Sequence, residues 1–285
     1  MGRIGVWASE FRFADEGFVS DAAAELEEIG YGALWFPGGR GGDVQGAIAR
    51  LLQATRSVSV ATGILNIWMH EPAEVGGWWR DFADNERGRI MLGLGVGHAP
   101  AIGEAWKKPL EKMTAYFDGL DIEGFPAEHR CLAALGPKML DLARERSAGA
   151  HPYLVTPEHT AGARQRLGPD ALLAPEQGVI LDSDPESARR KAREHLATYT
   201  RLPNYVNSWR RMGFGEADIA GVSDEFVDAL FAWGSPEQIA ARLAAHLDAG
   251  ADHVCLQLVT GPTGSGDPEQ LREGWRELAP GNLGF

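Results

Sequence analysis

Three short segments combine residue types able to bind a ligand or react with one. Gly93-Leu94-Gly95-Val96-Gly97-His98 follows an apolar, β-branched run and resembles a dinucleotide fingerprint. It fails the spacing, because GxGxxG needs glycine at 98 or 100, where His98 and Pro100 stand. Glycines leaving a strand still let a flat ring lie against the backbone. Leu135-Gly136-Pro137-Lys138-Met139 opens a helix, with glycine for the turn and proline for the first helical position. Its free N–H groups make an anion site. Lys138 in that first turn opposes the helix dipole by roughly 0.3–1 kcal/mol, and a bound phosphate reverses the sign. Thr156-Pro157-Glu158 starts another helix, with Thr156 as the cap. Two neighbouring strand ends that each open into such a terminus form one phosphate cradle.

His70 and His98 are expected at the rim as candidate general acids or bases. Trp7, Trp35 and Trp68, near strand ends, are candidates to wall an apolar pocket for a ring. His151 and His159 lack metal-ligand spacing, so no metal is expected. No nucleophile elbow, Walker loop, Cys–His pair or glycosidase carboxylate pair occurs. Hydride chemistry fits that gap, since it leans on cofactor placement more than on a reactive side chain.

The elements that must carry these residues alternate. Strands are expected at 4–7, 33–36, 58–65, 90–95, 131–135, 151–155, 178–181 and 253–259. Helical patterns lie between them, as at 19–29 and 239–249, each stopped by a glycine, Gly30 or Gly250. Pro72 and Pro236 suit the first helical position. Eight β-then-α units argue for a parallel sheet covered by helices, and repeats of roughly 30 residues favour closure over an open sheet. Residues 182–252 form a long, mostly helical insert before strand eight. The expectation is an α/β protein, a (β/α)8 TIM barrel in one domain, 1–285, with its site at the C-terminal strand ends.

The 40 acidic against 27 basic residues give a net charge of −13, which repels phosphate backbones and anionic lipid. Nucleic acid and membrane are therefore poor partners, and no apolar run reaches spanning length. The N-terminal MGRIGVWASEFRF lacks the apolar core of a signal peptide. Cys131 and Cys255 sit in apolar runs, as reduced, buried residues do, and a cytoplasmic location is expected.

Gly5-Val6-Trp7, residues 28–36, Gly63-Ile64-Leu65-Asn66-Ile67-Trp68, residues 89–97, residues 133–139, residues 151–159 and Gly250-Ala251-Asp252-His253-Val254 occur in a telling order. Through them the chain resembles the bacterial luciferase-like monooxygenase superfamily, and within it the oxidoreductases that use the deazaflavin coenzyme F420. The resemblance implies a dimeric barrel and a bulge at the end of strand three with a cis peptide, here at Gly63–Ile64. It places the ring on Gly63, Ile64 and Asn66, with Gly97 and His98 approaching from strand four. It places the tail phosphate on Ala134, Leu135 and Gly136, with Val155 and Thr156 completing the cradle, which agrees with the anion sites read from the residues themselves. Relatives often carry an acid or histidine just after strand two. Here Pro37-Gly38-Gly39 stands there, which shifts the proton-donor role to His70, His98 or the substrate.

These readings converge on hydride transfer between reduced F420 and a small organic molecule. An FMN-dependent monooxygenase on the same fold, a flavin-binding barrel without turnover, and a barrel lyase or isomerase are the alternatives. The lyase needs a Schiff-base lysine at a strand end, and the expected strands hold none. An F420 tail also calls for local cations, and Arg40, Lys107, Lys108 and Lys138 fall on loops expected at the C-terminal face.

Overall fold

The computed structural model describes residues 1–39, 42–262 and 266–285. Ten strands form one sheet: β1 (Ile4–Trp7), β2 (Ala33–Gly38), β3 (Ser59–Asn66), β4 (Ile90–Gly95), β5 (Arg130–Leu132), β6 (Gly149–Ala150), β7 (Leu172–Leu173), β8 (Glu176–Ile180), β9 (Phe231–Trp233) and β10 (Val254–Leu258). Every pairing is parallel, in the order β7-β6-β5-β4-β3-β2-β1-β10-β8-β9. β7 and β8 are halves of one barrel strand, broken where Pro175 has no N–H to offer. On one side Ala174 N–H donates to Ala150 O and Glu176 N–H to Pro152 O, each at 2.9 Å. On the other side Cys255 N–H donates to Pro175 O at 2.9 Å. These bonds close the sheet into an eight-strand barrel.

Strands one to four lie where the apolar runs place them, within two residues at each end. The strand expected at 151–155 does not form. β6 stops at Ala150, because Pro152 cannot feed a ladder and Leu154 takes a left-handed φ of 54°. The upper edge of β8 is then left without β6, and β9 pairs with it instead, Gly178 opposite Phe231. The insert is therefore not purely helical, because it returns one strand to the sheet.

Helix starts follow the sequence. Pro72, Pro137, Pro157 and Pro236 each occupy the first turn, and Thr156 and Ser235 cap with their hydroxyls. Gly30 and Gly250, both at φ 100°, turn the chain after two helices where a side chain would be strained. Apolar side chains on the outer face of the strands pack against the helices in the main core. A second apolar cluster, with Trp209, Phe226 and Phe231 fully buried, roots the insert onto β8. Each such side chain contributes about 1.5–3 kcal/mol of burial free energy.

Traced round the barrel, the registers send side chains from alternate strands inward in tiers. Ala61, Cys131 and Ala174 share one tier, and Trp35, His151 and Cys255 the next, where Trp35 stacks on His151 at 4.1 Å. Trp7, Gly63, Ala133 and Glu176 form the tier at the mouth. Both cysteines are buried and free.

Candidate functional site

β3 bulges between Thr62 and Leu65, and the Gly63–Ile64 peptide is cis. Trp7 Nε1 donates to Gly63 O at 2.9 Å, and a Cβ on Gly63 would lie 2.6 Å from that nitrogen. Only glycine fits there. The glycines of β4 serve the same bulge. A Cβ on Gly93 would lie 2.0 Å from Thr62 O, and one on Gly95 would lie 2.4 Å from Ile64 Cδ1. Their space holds Ile64, not a ring, so the ledge open to a ligand is Gly63–Ile64, both half-buried. Asn66 completes it, with Oδ1 accepting from Trp68 N–H at 3.0 Å. Its amide packs against Gly97, which has a φ of 57°.

His98 follows Gly97 and hydrogen-bonds the Asn204 side chain, with its ring 5.6 Å from that of Tyr205. Burial lowers its pKa, and its Nδ1 is enclosed without a partner. His70 is held differently. Its Nδ1 bonds Glu74 Oε1 at 3.0 Å, and its ring meets the edge of Trp78. The tryptophans divide too. Trp7 walls the mouth, Trp68 bonds Val96 O at 2.9 Å, and Trp35 lies fully buried below, donating to His253 Nε2 at 3.1 Å. Trp35 is thus barrel filling rather than pocket wall.

The residues expected to hold a tail phosphate lie at the starts of two helices. Gly136 caps the helix Pro137–Arg146 and Thr156 caps the helix Pro157–Leu167, accepting from His159 N–H at 3.4 Å. Ala134 and Val155 are buried beneath these termini. Two cradle residues were not anticipated. Arg211, from the insert, reaches Leu135 O at 3.4 Å, and its guanidinium lies against Gly136. Partial burial lowers its pKa, and no carboxylate pairs with it among the described residues. His159 donates from Nε2 to Leu135 O at 3.3 Å, leaving Nδ1 buried and unpartnered. The sequence signal for Arg211 was an arginine in a helix far along the chain, and nothing local ties it to strand five. Lys138 is exposed, and Lys108 pairs with Glu111 at 2.9 Å. Arg40 lies outside the described residues.

Glu10, just after β1, also escaped the sequence reading. It lines a small cleft at the mouth with Trp7, His195 and Gln257. Burial raises its pKa, against a hydrogen bond from Ser9 Oγ at 3.1 Å. Deeper in, the Tyr153 hydroxyl meets His195 Nε2 at 2.8 Å, Gln257 Oε1 at 3.0 Å and Tyr199 Oη at 3.2 Å. Burial holds His195 at about 4, so it is neutral. Where Pro37 and Gly38 replace an acid, Pro37 O accepts from Arg12 at 2.7 Å. A Cβ on Gly38 would sit 2.8 Å from Leu65 Cα. Among the described residues no cluster of three His, Cys, Asp or Glu could hold a metal, and no helix is long and apolar enough to cross a membrane.

The fold and site define a (β/α)8 barrel whose C-terminal mouth joins a glycine ledge to two converging helix starts, at Gly136 and Thr156. The chain belongs to the luciferase-like monooxygenase family, whose model matches residues 14–121 and 123–253, and it is an oxidoreductase of that class. It is 25% identical to a 5,10-methylenetetrahydromethanopterin reductase of Methanolobus tindarius, over 86% of this chain and 91% of that protein. Among solved structures it resembles an F420-dependent secondary alcohol dehydrogenase in complex with an F420-acetone adduct, at TM-score 0.71, 16% identity and 99% coverage of both chains. It also resembles the oxygenating constituent of 3,6-diketocamphane monooxygenase from Pseudomonas putida, in complex with FMN. That match has TM-score 0.64, 17% identity and 98% coverage of both chains.

Proposed function

We propose that this enzyme transfers a hydride between the reduced deazaflavin coenzyme F420 and a small organic substrate. The carrying observation is Arg211, a guanidinium without a carboxylate partner held over Gly136, where two helix termini already converge. A phosphate in that cradle gains charge-assisted hydrogen bonds and both helix dipoles. The residues fit the group: Gly63, Ile64 and Asn66 would carry the ring beside Gly97 and His98, and Ala134, Leu135, Gly136, Val155, Thr156 and Lys138 would hold the tail phosphate.

When bound, the deazaflavin supplies the hydride. The chain's own residues do the rest. Trp7 and the Gly63 ledge orient the ring plane, and Tyr205 over His98 screens it from water. Glu10, whose pKa burial raises and which lines the cleft, is the residue we assign to proton transfer with the substrate, a role the sequence had left to His70, His98 or the substrate itself. We further propose one catalytic domain, 1–285, acting as a homodimer in the cytoplasm.

Titrating F420 and FMN into the purified protein across ionic strength tests the reading, since the anionic F420 tail should give tighter binding that salt weakens. Equal affinity, or an FMN preference untouched by salt, replaces it with the FMN monooxygenase.

A further inference from the structure

Glu176 occupies one corner of the tier at the mouth, and it is 1% exposed. Its neighbour Gln177 points outward, meeting His246 on the helix Pro236–Asp248 at 2.9 Å. Strand alternation therefore turns Glu176 into the lumen. There its register partner is Cys255, and it acts electrostatically on Tyr153 and Tyr205 above. Burial raises its pKa well above the carboxylate range, offset only in part by the Leu154 N–H. Neither carboxyl oxygen makes a hydrogen bond of good geometry among the described residues.

Leaving a buried carboxyl unmet is costly, and native chains rarely keep one without a partner. The other members of its tier offer none. Trp7 Nε1 is a donor already spent on Gly63 O, and Ala133 N–H is spent on Leu94 O. The Tyr153 hydroxyl is taken up by His195, Gln257 and Tyr199. A carboxyl kept neutral by burial still has an O–H to place, and an acceptor brought in from the mouth, over the same tier as the Gly63 ledge, would meet it.

We propose that Glu176 is a ligand-binding residue whose carboxyl group donates a hydrogen bond to a carbonyl oxygen seated over this tier, from either the tricyclic ring or the substrate. The inference rests on the cofactor reading above, since it is that ring which would cover Gly63. A flavin-type ring carries two carbonyl oxygens on its pyrimidine edge, and a ketone substrate carries one. A donor at this point fixes the orientation of whichever oxygen it meets, and leaves the lumen uncharged.

Infrared difference spectroscopy on the full chain tests it. At neutral pH the wild type should show a protonated-carboxyl C=O band that is absent in Glu176→Gln and retained in Glu10→Gln. Adding F420 alone should shift the band if the ring provides the oxygen. A shift only after a small ketone such as acetone is added assigns the substrate instead, and either result supports the proposal. In parallel, affinity for the ligand that moves the band should fall on the order of tenfold in Glu176→Ala. It should stay within about threefold in Glu176→Gln, whose amide still donates. A band that neither addition moves, or equal affinity in the wild type and Glu176→Ala, overturns this inference while leaving the cofactor reading intact. Failure of the wild type to bind either F420 or FMN overturns both.

Discussion

At the N-terminal end of the barrel, Glu27 accepts from the N–H groups of Arg56, Ser57 and Val58 and from the Ser57 hydroxyl, tying a helix end to the start of β3. Arg89 gives its guanidinium to Leu52 O and Thr55 O, and Arg164 spans Gly168 O, Ala171 O, Gly250 O and Asp252. At the C-terminal end the same kinds of group stand incomplete. Among the described residues His98 Nδ1 and His159 Nδ1 have no partner, the Glu176 oxygens make no hydrogen bond of good geometry, and Arg211 meets one carbonyl. The first end ties most of its polar groups into the fold, although Arg89 Nε stays unpartnered there too, and the second leaves several short of a partner. Changes at the first should therefore be read in stability, and changes at the second in ligand affinity.

Acid should act first on the barrel lumen that lies between the two ends. His151 and His253 lie fully inside the lumen and are pushed down to about 4 by burial. Each has one nitrogen committed to a backbone carbonyl, Ala174 O or Gly2 O, and His253 Nε2 accepts from Trp35. Because the folded pKa lies below the unfolded value of 6.5, their contribution is complete above pH 6.5 and is lost as pH falls toward 4. The cost reaches about 3 kcal/mol for each, at 1.36 kcal/mol per unit. Urea unfolding at pH 7 and pH 5 checks this, with cofactor affinity at pH 7 as the reference. A flat stability between those values would show the histidines to be hydrated.

Glu27 comes next. Held at about 2 by its donors, it keeps its contribution above the usual 4.5 and loses it only as pH falls toward 2. Glu27→Ala should destabilise the fold by about 2–4 kcal/mol, since three backbone donors lose their acceptor. F420 affinity of the folded fraction should not change. A weaker cofactor with an unchanged melting temperature would invert the comparison between the two ends.

Arg211→Ala sharpens the contrast from the other side. Loss of a charge-assisted bond to phosphate predicts a fall in affinity of about 1.5–3 kcal/mol with little change in melting temperature. Lys138→Glu, exposed at the same helix start, should cost on the order of 1–2 kcal/mol at low salt and less as screening rises. Isothermal titration at two ionic strengths separates the pair. If Lys138 proves the stronger of the two, the cradle opens toward the rim rather than toward the insert.

The parts legible in sequence are those set by local rules. Prolines at helix starts, glycine stops and long β-branched runs placed strands one to four and the helices that begin at Pro72, Pro137, Pro157 and Pro236. The expected bulge, with its cis peptide at Gly63–Ile64, is where the resemblance put it. What escaped depends on meetings between distant residues. β6 and β7 are two residues each, too short to leave an alternation, and 151–155 is apolar enough to imitate a strand. Arg211, Glu10 and the Tyr153–His195 pair have unremarkable neighbours in sequence, and only the closed barrel brings them to one mouth. Glu176 reads as an ordinary polar residue before a strand until the registers place it in the lumen.

The division of the seventh barrel strand has a mechanical consequence. β3 and β4 share five aligned residue pairs, whereas β5–β6 and β6–β7 share two each, so the ring is held unevenly around its circumference. The stiff arc carries the ledge that must keep a ring flat. The compliant arc carries Gly136 and Thr156, at the ends of loops leaving β5 and β6. Small displacements there cost few ladder bonds, so the loops that carry Gly136 and Thr156 can shift without disturbing the Gly63–Ile64 ledge.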